Sequence, residues 1–306
     1  MKDLWNAADV PDQKDRVAVI TGGGTGLGYQ IALVLAGRGA HAVLAVRDVT
    51  KGKAAAERIL AIHPQAEVSV QILDLASQRS VEDAGTELSS RYPRIDLLIN
   101  NAGVMFPPRT VTVDGFELQF ATNHLGHFAL TGLLIGNMLP VTGSRVITVS
   151  SLGHKARGAI DFDDLNSEKK YSAGGAYAQS KLANLLFTYE LDQRLAARAH
   201  ATTIAVAAHP GGANTDLTRH TPAKLRWLQA LAARFLFQSA EMGALPPLRA
   251  ATDPAVTGSQ YYGPDGFMEQ RGHPVLVTSN AKSHNEEVAQ RLWAVSEKLT
   301  GVHYPV

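Results

Sequence analysis

Seven residues near the N-terminus, Gly22-Gly23-Gly24-Thr25-Gly26-Leu27-Gly28, narrow the folds open to this chain more than any others. They follow an apolar run, residues 17–21, and precede a segment carrying Ile31, Val34 and Leu35 at helical spacing. A strand that passes through a glycine turn into a helix aims backbone N–H groups at the positive end of the helix. Glycine there tolerates left-handed φ and lets a diphosphate come close. Glycines alone would fit a flexible turn equally well, but the strand and helix on either side favour the phosphate cradle.

The same alternation continues downstream. Short Val/Ile/Leu-rich runs are predicted as strands at 17–21, 42–46, 68–73, 97–100, 145–150, 203–208 and 260–262, with helices at 26–38, 51–62, 78–91, 116–139, 176–199 and 240–251. Continuously apolar strands joined by helices make a parallel sheet covered on both faces. The expected fold is α/β, a doubly wound, Rossmann-like parallel sheet of seven strands with helices on both sides and ligands beyond the strands' carboxyl ends. The 306 residues, 45% of them hydrophobic, suit one domain, 1–306, with no internal repeat. Two insertions, 154–175 and about 216–239, break the alternation and are expected to overhang the cofactor crevice, the second as a substrate lid.

Charge and composition exclude several function classes. Lys plus Arg number 29 against 28 Asp plus Glu, a net charge of +1 with no basic run, so nucleic acid is not an expected partner. There is no cysteine, hence no disulfide, thiol nucleophile or zinc–thiolate site. Residues 1–16 carry seven charges and read as an exposed lead-in rather than a secretory segment. The longest apolar stretch, 129–141, falls short of the ~20 residues that span a bilayer. A cytoplasmic protein with no transmembrane segment is the expectation.

The end of the second strand bears on cofactor choice. An NAD site usually places a carboxylate there for the ribose 2′-hydroxyl, whereas this chain has Val46 followed by Arg47, whose guanidinium can pair with a 2′-phosphate. NADP(H) is therefore the expected cofactor. Asp48 is the counter-argument, since Arg47 and Asp48 could simply pair at the surface.

Three landmarks follow in order: Asn100-Asn101-Ala102-Gly103, Val149-Ser150-Ser151 and Tyr177-Ala-Gln-Ser-Lys181. With the glycine turn and His209-Pro210-Gly211 they resemble the short-chain dehydrogenase/reductase family over nearly the whole chain. Asn123-His-Leu-Gly-His-Phe128, the stretch 161–171 and Ser180-Lys-Leu-Ala-Asn184 are similar to its retinol dehydrogenase branch. That resemblance implies an NADP-linked alcohol/carbonyl couple on a lipophilic substrate. It selects Ser151 over Ser150 and implies that Asn123 orders the water and backbone relaying protons to Lys181. It also implies that Asp74 and Leu75 contact adenine and that Asn101, Ala102 and Gly103 lie against the adenosine ribose. Pro210, Gly211 and Thr215 are expected to close over the nicotinamide and pyrophosphate, although Pro and Gly also make ordinary turns. Asp74 could equally cap the helix that follows.

Tyr177 and Lys181 also have a physical case of their own. A free tyrosine has a pKa of ~10, and a nearby ammonium is expected to lower it. Four-residue spacing puts both on one helix face. Tyr177 can then pass a proton to or from the substrate oxygen, Lys181 can hold the nicotinamide ribose, and Ser151 can bond the developing oxyanion. No metal site is expected: His124 and His127 lack an obvious third ligand. The segment 223–238, amphipathic with Leu225, Leu228, Leu231 and Phe235 on one face, reads as a lid, a peripheral membrane contact or a self-association face. Helices 116–139 and 176–199 suggest a homodimer or homotetramer by analogy. Reduction of a conjugated C=C bond and non-catalytic NADP(H) sensing are the alternative functions.

Overall fold

The computed structural model describes residues 4–212 and 238–306, Gly158 apart. The apolar runs become strands β1 Val17–Thr21, β2 His41–Val46, β3 Val68–Ile72, β4 Leu97–Asn100, β5 Arg145–Val149, β6 Ile204–Ala208 and β7 Tyr261–Pro264. All seven are parallel, in the order β3-β2-β1-β4-β5-β6-β7. The order reverses beside β1, where the crevice between β1 and β4 opens at the strands' carboxyl ends.

The seven-strand expectation needs correcting, because β8, Pro274–Leu276, adds antiparallel to β7 and makes eight. Three residues led by a proline give no strand signal, but proline is tolerated on an edge, where its missing donor goes unused.

The helices are α1 Gly26–Gly37, α2 Val49–Ile62, α3 Gln78–Arg91, α4 Gly126–Met138, α5 Ala173–Ala197, α6 Ala240–Thr252 and α7 Glu286–Thr300. Strand alternation divides the core into two layers. Ala18, Ile20, Leu44 and Ile99 pack with Ile31 and Leu35 of α1 and Leu248 of α6. Val19, Val43 and Leu98 face the other way, against Leu88 of α3, Phe128 of α4 and Phe187 of α5.

Three helix expectations change. The continuous helix expected over 116–139 is interrupted: a turn at Leu118–Phe120 passes into a π-helical stretch, Ala121–Leu125, before α4. Its start is set by Glu117, whose carboxylate accepts from the Gln119 and Phe120 amides at 3.0 and 2.8 Å. Helix α5 begins three residues earlier than expected because Ser172 caps it through the Gly175 amide, 3.3 Å. Helix α7 was not anticipated; Asn285 caps it and Gly301 closes it at φ 69°.

The lead-in is not simply exposed either, since Trp5 and Val10 are buried against the α1 layer. No described helix is long and apolar enough to cross a membrane. The expected lid, 216–239, lies outside the described residues except for Gln238 and Ser239.

Candidate active site

The glycine turn lies where a diphosphate could approach. Gly22 and Gly26 have φ of 69° and 56°, and a Cβ on Gly26 would meet nothing within 4 Å. Thr25 stands at the N-cap of α1 with no side-chain cap bond, and both Thr25 and Gly26 are exposed, so the first-turn amides face outward. Gly28 answers a different need. A Cβ there would collide with the Gly22 carbonyl and lie 2.7 Å from Asn101 Nδ2. Leu27 is buried and anchors the helix start. Beneath the turn, Thr21 Oγ1 accepts from the Asn101 and Ala102 amides at 2.9 and 3.0 Å, fastening β1 to the end of β4.

At the end of β2 the surface-pair reading of Arg47 and Asp48 is not what the structure has. The Asp48 carboxylate caps α2 through the Lys51 amide at 3.1 Å and pairs with the Lys51 ammonium at 3.4 Å. The capping bonds hold this carboxyl below its usual range. Arg47 is exposed, and among the described residues it makes no ion pair. Asp74 closes a turn onto the Ala76 amide at 3.0 Å, and Ser77 rather than Asp74 caps α3. Leu75 is buried, and its carbonyl lies against Gly126, where a Cβ would clash.

The four residues expected to act in chemistry come together at the ends of β4 and β5. Asn123 projects from the π-helical stretch. Its Oδ1 accepts from the Val104 amide at 2.8 Å, while Nδ2 donates to the Val104 carbonyl at 3.0 Å and to Ser180 Oγ at 2.9 Å. A Cβ on Gly103 would lie 3.1 Å from Asn123 Oδ1 and 3.5 Å from Lys181 Nζ, so these three meet at one point. Tyr177 is partly exposed, and Gly153 lies between its ring and Ser151, whose Oγ would be 3.5 Å from a Cβ there. Gly153 lets the ring pass, since a Cβ there would sit 2.9 Å from Tyr177 Cε1. Ser150 is spoken for, donating to the Lys181 carbonyl at 2.8 Å.

The expected acidification of Tyr177 by Lys181 is not found. Burial raises the phenol above its ordinary value, with the nearby Ser151 hydroxyl opposing. The Lys181 ammonium lies 5.8 Å from the ring centroid and donates to the Val149 carbonyl at 3.0 Å. Burial brings Lys181 itself down to about 8. The two side chains share a face, as the spacing requires, but the phenol gains too little from the ammonium to offset its desolvation.

Several neighbours were not singled out as site residues. His127, set aside as a metal ligand, links Thr21 Oγ1 at 2.9 Å to the Asn123 carbonyl at 3.0 Å, so it braces the turn from behind. Burial lowers it to about 4. His124 bonds Ser296, and among the described residues no three potential ligands gather for a metal. Phe106 is half exposed at φ 55° and meets the Tyr177 ring edge-on, 5.2 Å between centroids. Tyr171, from the first insertion, donates to the Pro107 carbonyl at 2.6 Å and so walls the same side. No sequence signal marks Phe106, because its role comes from where the loop after Gly103 leads. Pro210 and Gly211 stand partly exposed at the carboxyl end of β6, Gly211 at φ 66°. Thr215 lies outside the described residues.

Comparison with known proteins gives a consistent answer. The short chain dehydrogenase family profile matches residues 16–226. Retinol dehydrogenase 13 of Homo sapiens is 41% identical over 297 residues, covering 95% of this chain and 86% of that one. Retinol dehydrogenase 11 of Mus musculus is 41% identical over 287 residues, 94% and 87% of the two chains. A crystal structure of an uncharacterized protein from Mycobacterium Paratuberculosis superposes with a TM-score of 0.83 at 41% identity, covering 99% of each chain. The Pseudomonas aeruginosa RhlG/NADP complex, at 23% identity and TM-score 0.63, covers 82% of this chain and 94% of its own and shares the fold. The chain belongs to the short-chain dehydrogenase/reductase family, is retinol dehydrogenase-like, and is an oxidoreductase of the kind that uses NAD(P)(H).

Proposed function

From that membership, we propose that the protein is an NADP(H)-dependent oxidoreductase that interconverts a hydrophobic ketone or aldehyde and its alcohol, with Tyr177 as the acid/base. The observation that carries this reading is the convergence of Tyr177, Ser151, Lys181 and Asn123 beside an open glycine turn. The residues fit a dinucleotide: the space over Gly26 is open, with nothing within 4 Å of where a Cβ would stand, and the uncapped α1 amides offer donors for a pyrophosphate. Gly22, Thr25, Gly26, Leu27 and Gly28 would hold that group, and the exposed Arg47 the 2′-phosphate. Asp74, Leu75, Asn101, Ala102 and Gly103 would line the adenosine side, and Pro210, Gly211 and Thr215 the nicotinamide side. When bound, the nicotinamide supplies or accepts the hydride.

The chain's own part follows from its protons. A phenol raised by burial is protonated at neutral pH, which is the form that donates to a carbonyl oxygen. Ser151 would share that oxygen and hold it within reach of Tyr177. Lys181 stays charged below about 8 and supplies positive charge under the site. Asn123 acts by position, keeping the 103–104 backbone against Lys181. The exposed Phe106 ring offers an apolar wall, and a lipophilic substrate is also what the retinol dehydrogenase relatives suggest by name. We take residues 1–306 as one domain.

Following NADPH absorbance over a panel of ketones, aldehydes and enones tests the reading. Wild type should reduce apolar carbonyls, and Tyr177→Phe should keep its fold and cofactor binding while losing about 10³-fold in turnover. Near-normal turnover in that variant would end the proposed role of Tyr177. Val46→Asp with Arg47→Ala should shift kcat/KM towards NADH by about tenfold or more; an unchanged ratio would remove Arg47 from cofactor selection.

A further inference from the structure

Between β7 and β8 the chain makes a tight excursion, residues 265–273, whose tip has two consecutive non-glycine residues in the left-handed region, Met268 at φ 51° and Glu269 at φ 57°. Side chains disfavour that conformation, so something nearby must hold it. Phe267 and Met268 are exposed at 85% and 69% and hold nothing inward. Glu269 does reach inward. One carboxylate oxygen lies 3.1 Å from His209 Nε2 and the other accepts from Lys155 Nζ at 2.9 Å.

His209 closes β6 and is fully buried. Its Nδ1 accepts from the Gly211 amide at 3.2 Å, so the ring proton sits on Nε2 and is donated to Glu269. The ring is boxed in, since a Cβ on Gly263 would strike it. The same excursion grips the turn twice more. The Gly212 amide donates to the Gln270 carbonyl at 2.8 Å, and Gln238 bridges the Gly272 amide and the Pro210 carbonyl at 3.1 and 2.7 Å. Lys155 follows Ser151 by four residues, so Glu269 joins the loop after β5 to the loop after β6.

We propose that Glu269 is a positioning residue for the nicotinamide-side turn Pro210–Gly211, its carboxylate fixing the His209 tautomer and the ring fixing the Gly211 amide. This rests on the reading that the turn faces the nicotinamide. Burial keeps His209 below its ordinary value, and the His209 and Lys155 bonds hold Glu269 at about 2, so the proton stays put across the neutral range. Among the described residues, the titratable or charged groups that face the pair include Lys155 and His154 beyond β5 and Tyr261 on β7. Lys155 and Glu269 are both part-exposed, so the histidine bond is the one that sets geometry.

Fragment binding separates this role from a general structural one. NADPH carries the nicotinamide; 2′,5′-ADP does not and should be indifferent to the turn. Titrating both ligands by fluorescence or calorimetry, Glu269→Ala should weaken NADPH about tenfold while leaving 2′,5′-ADP within about twofold, and Glu269→Gln, which keeps an acceptor, should restore NADPH to within about threefold. In wild type, ¹⁵N NMR of His209 should report the Nε2–H tautomer, a test that needs no variant to fold. Equal NADPH affinity in Glu269→Ala, equal weakening of the two ligands, or an Nδ1–H ring would each overturn the proposal. If wild type binds 2′,5′-ADP but gains nothing from the nicotinamide half, the reading of the turn itself fails instead.

Discussion

At Lys181 burial alone moves the ammonium, down to about 8, and that sets a pH limit on the site. The charged form is present below that value and lost above it. The reductive kcat should therefore hold through neutrality and decline as pH rises past about 8, a limb that a pH–rate profile of wild type would show and that Lys181→Met should lack. Asn123 is a second test. Removing its amide in Asn123→Ala leaves the part-buried Val104 N–H and C=O without their partners, which should cost about 1–2 kcal/mol of stability by urea denaturation. That Tyr177 and Lys181 share a helix face was legible from their spacing, and the placing of Ser151 and Asn123 near them from the order of the resembling motifs. The direction of the Tyr177 shift was not, because spacing fixes which face a residue occupies but not how deeply it lies or what its neighbour's proton already bonds. His127 and Phe106 were illegible for the related reason that their partners, Thr21 and Tyr177, are distant in sequence.

Strands β1 and β4 and helix α3 match their sequence expectations to the residue, since each is bounded by turn chemistry and has one dominant periodicity. The π-helical stretch at Ala121–Leu125 was hidden because its composition is that of an ordinary apolar helix, and only the Glu117 cap and the close approach of Gly126 to Leu75 single it out. Helix α7 carries readable signals, Asn285 before it, Glu286 and Glu287 in its first turn and Gly301 after it. The glycine turn allows a sharp comparison within one element. Gly26→Ala meets no neighbour and should cost only about 1–2 kcal/mol for its left-handed φ. Gly28→Ala drives a methyl into the Gly22 carbonyl and should cost roughly 3 kcal/mol or more. Urea midpoints of the two variants, measured without cofactor, check the ranking; equal losses would mean that the close approach of α1 to the turn does not constrain it.

Among the described residues, four buried histidines are held neutral by desolvation: His124 at about 3, His127 and His154 at about 4, and His209 below its ordinary value. Unfolded, each would take a proton near 6.5, so between that pH and about 4 the unfolded chain binds more protons than the folded one. Stability is fully present above 6.5 and is lost as pH falls through this window. His127 alone should account for roughly 3 kcal/mol. Urea midpoints at pH 7.5, 6 and 5 should fall in that order, with a shallower fall in His127→Gln. The sequence displayed these histidines but not their burial, which comes from distant partners: Phe187 and Ser296 around His124, and Tyr261 beside His154 and His209. The excursion at 265–273 bears on order of synthesis. Every residue of the glycine turn and its Thr21 latch has been made by Ala102, yet the brace on Pro210–Gly211 needs Glu269, Gln270 and Gly272. The residues for one half of the site are thus in hand about 170 positions before the last of those that brace the other.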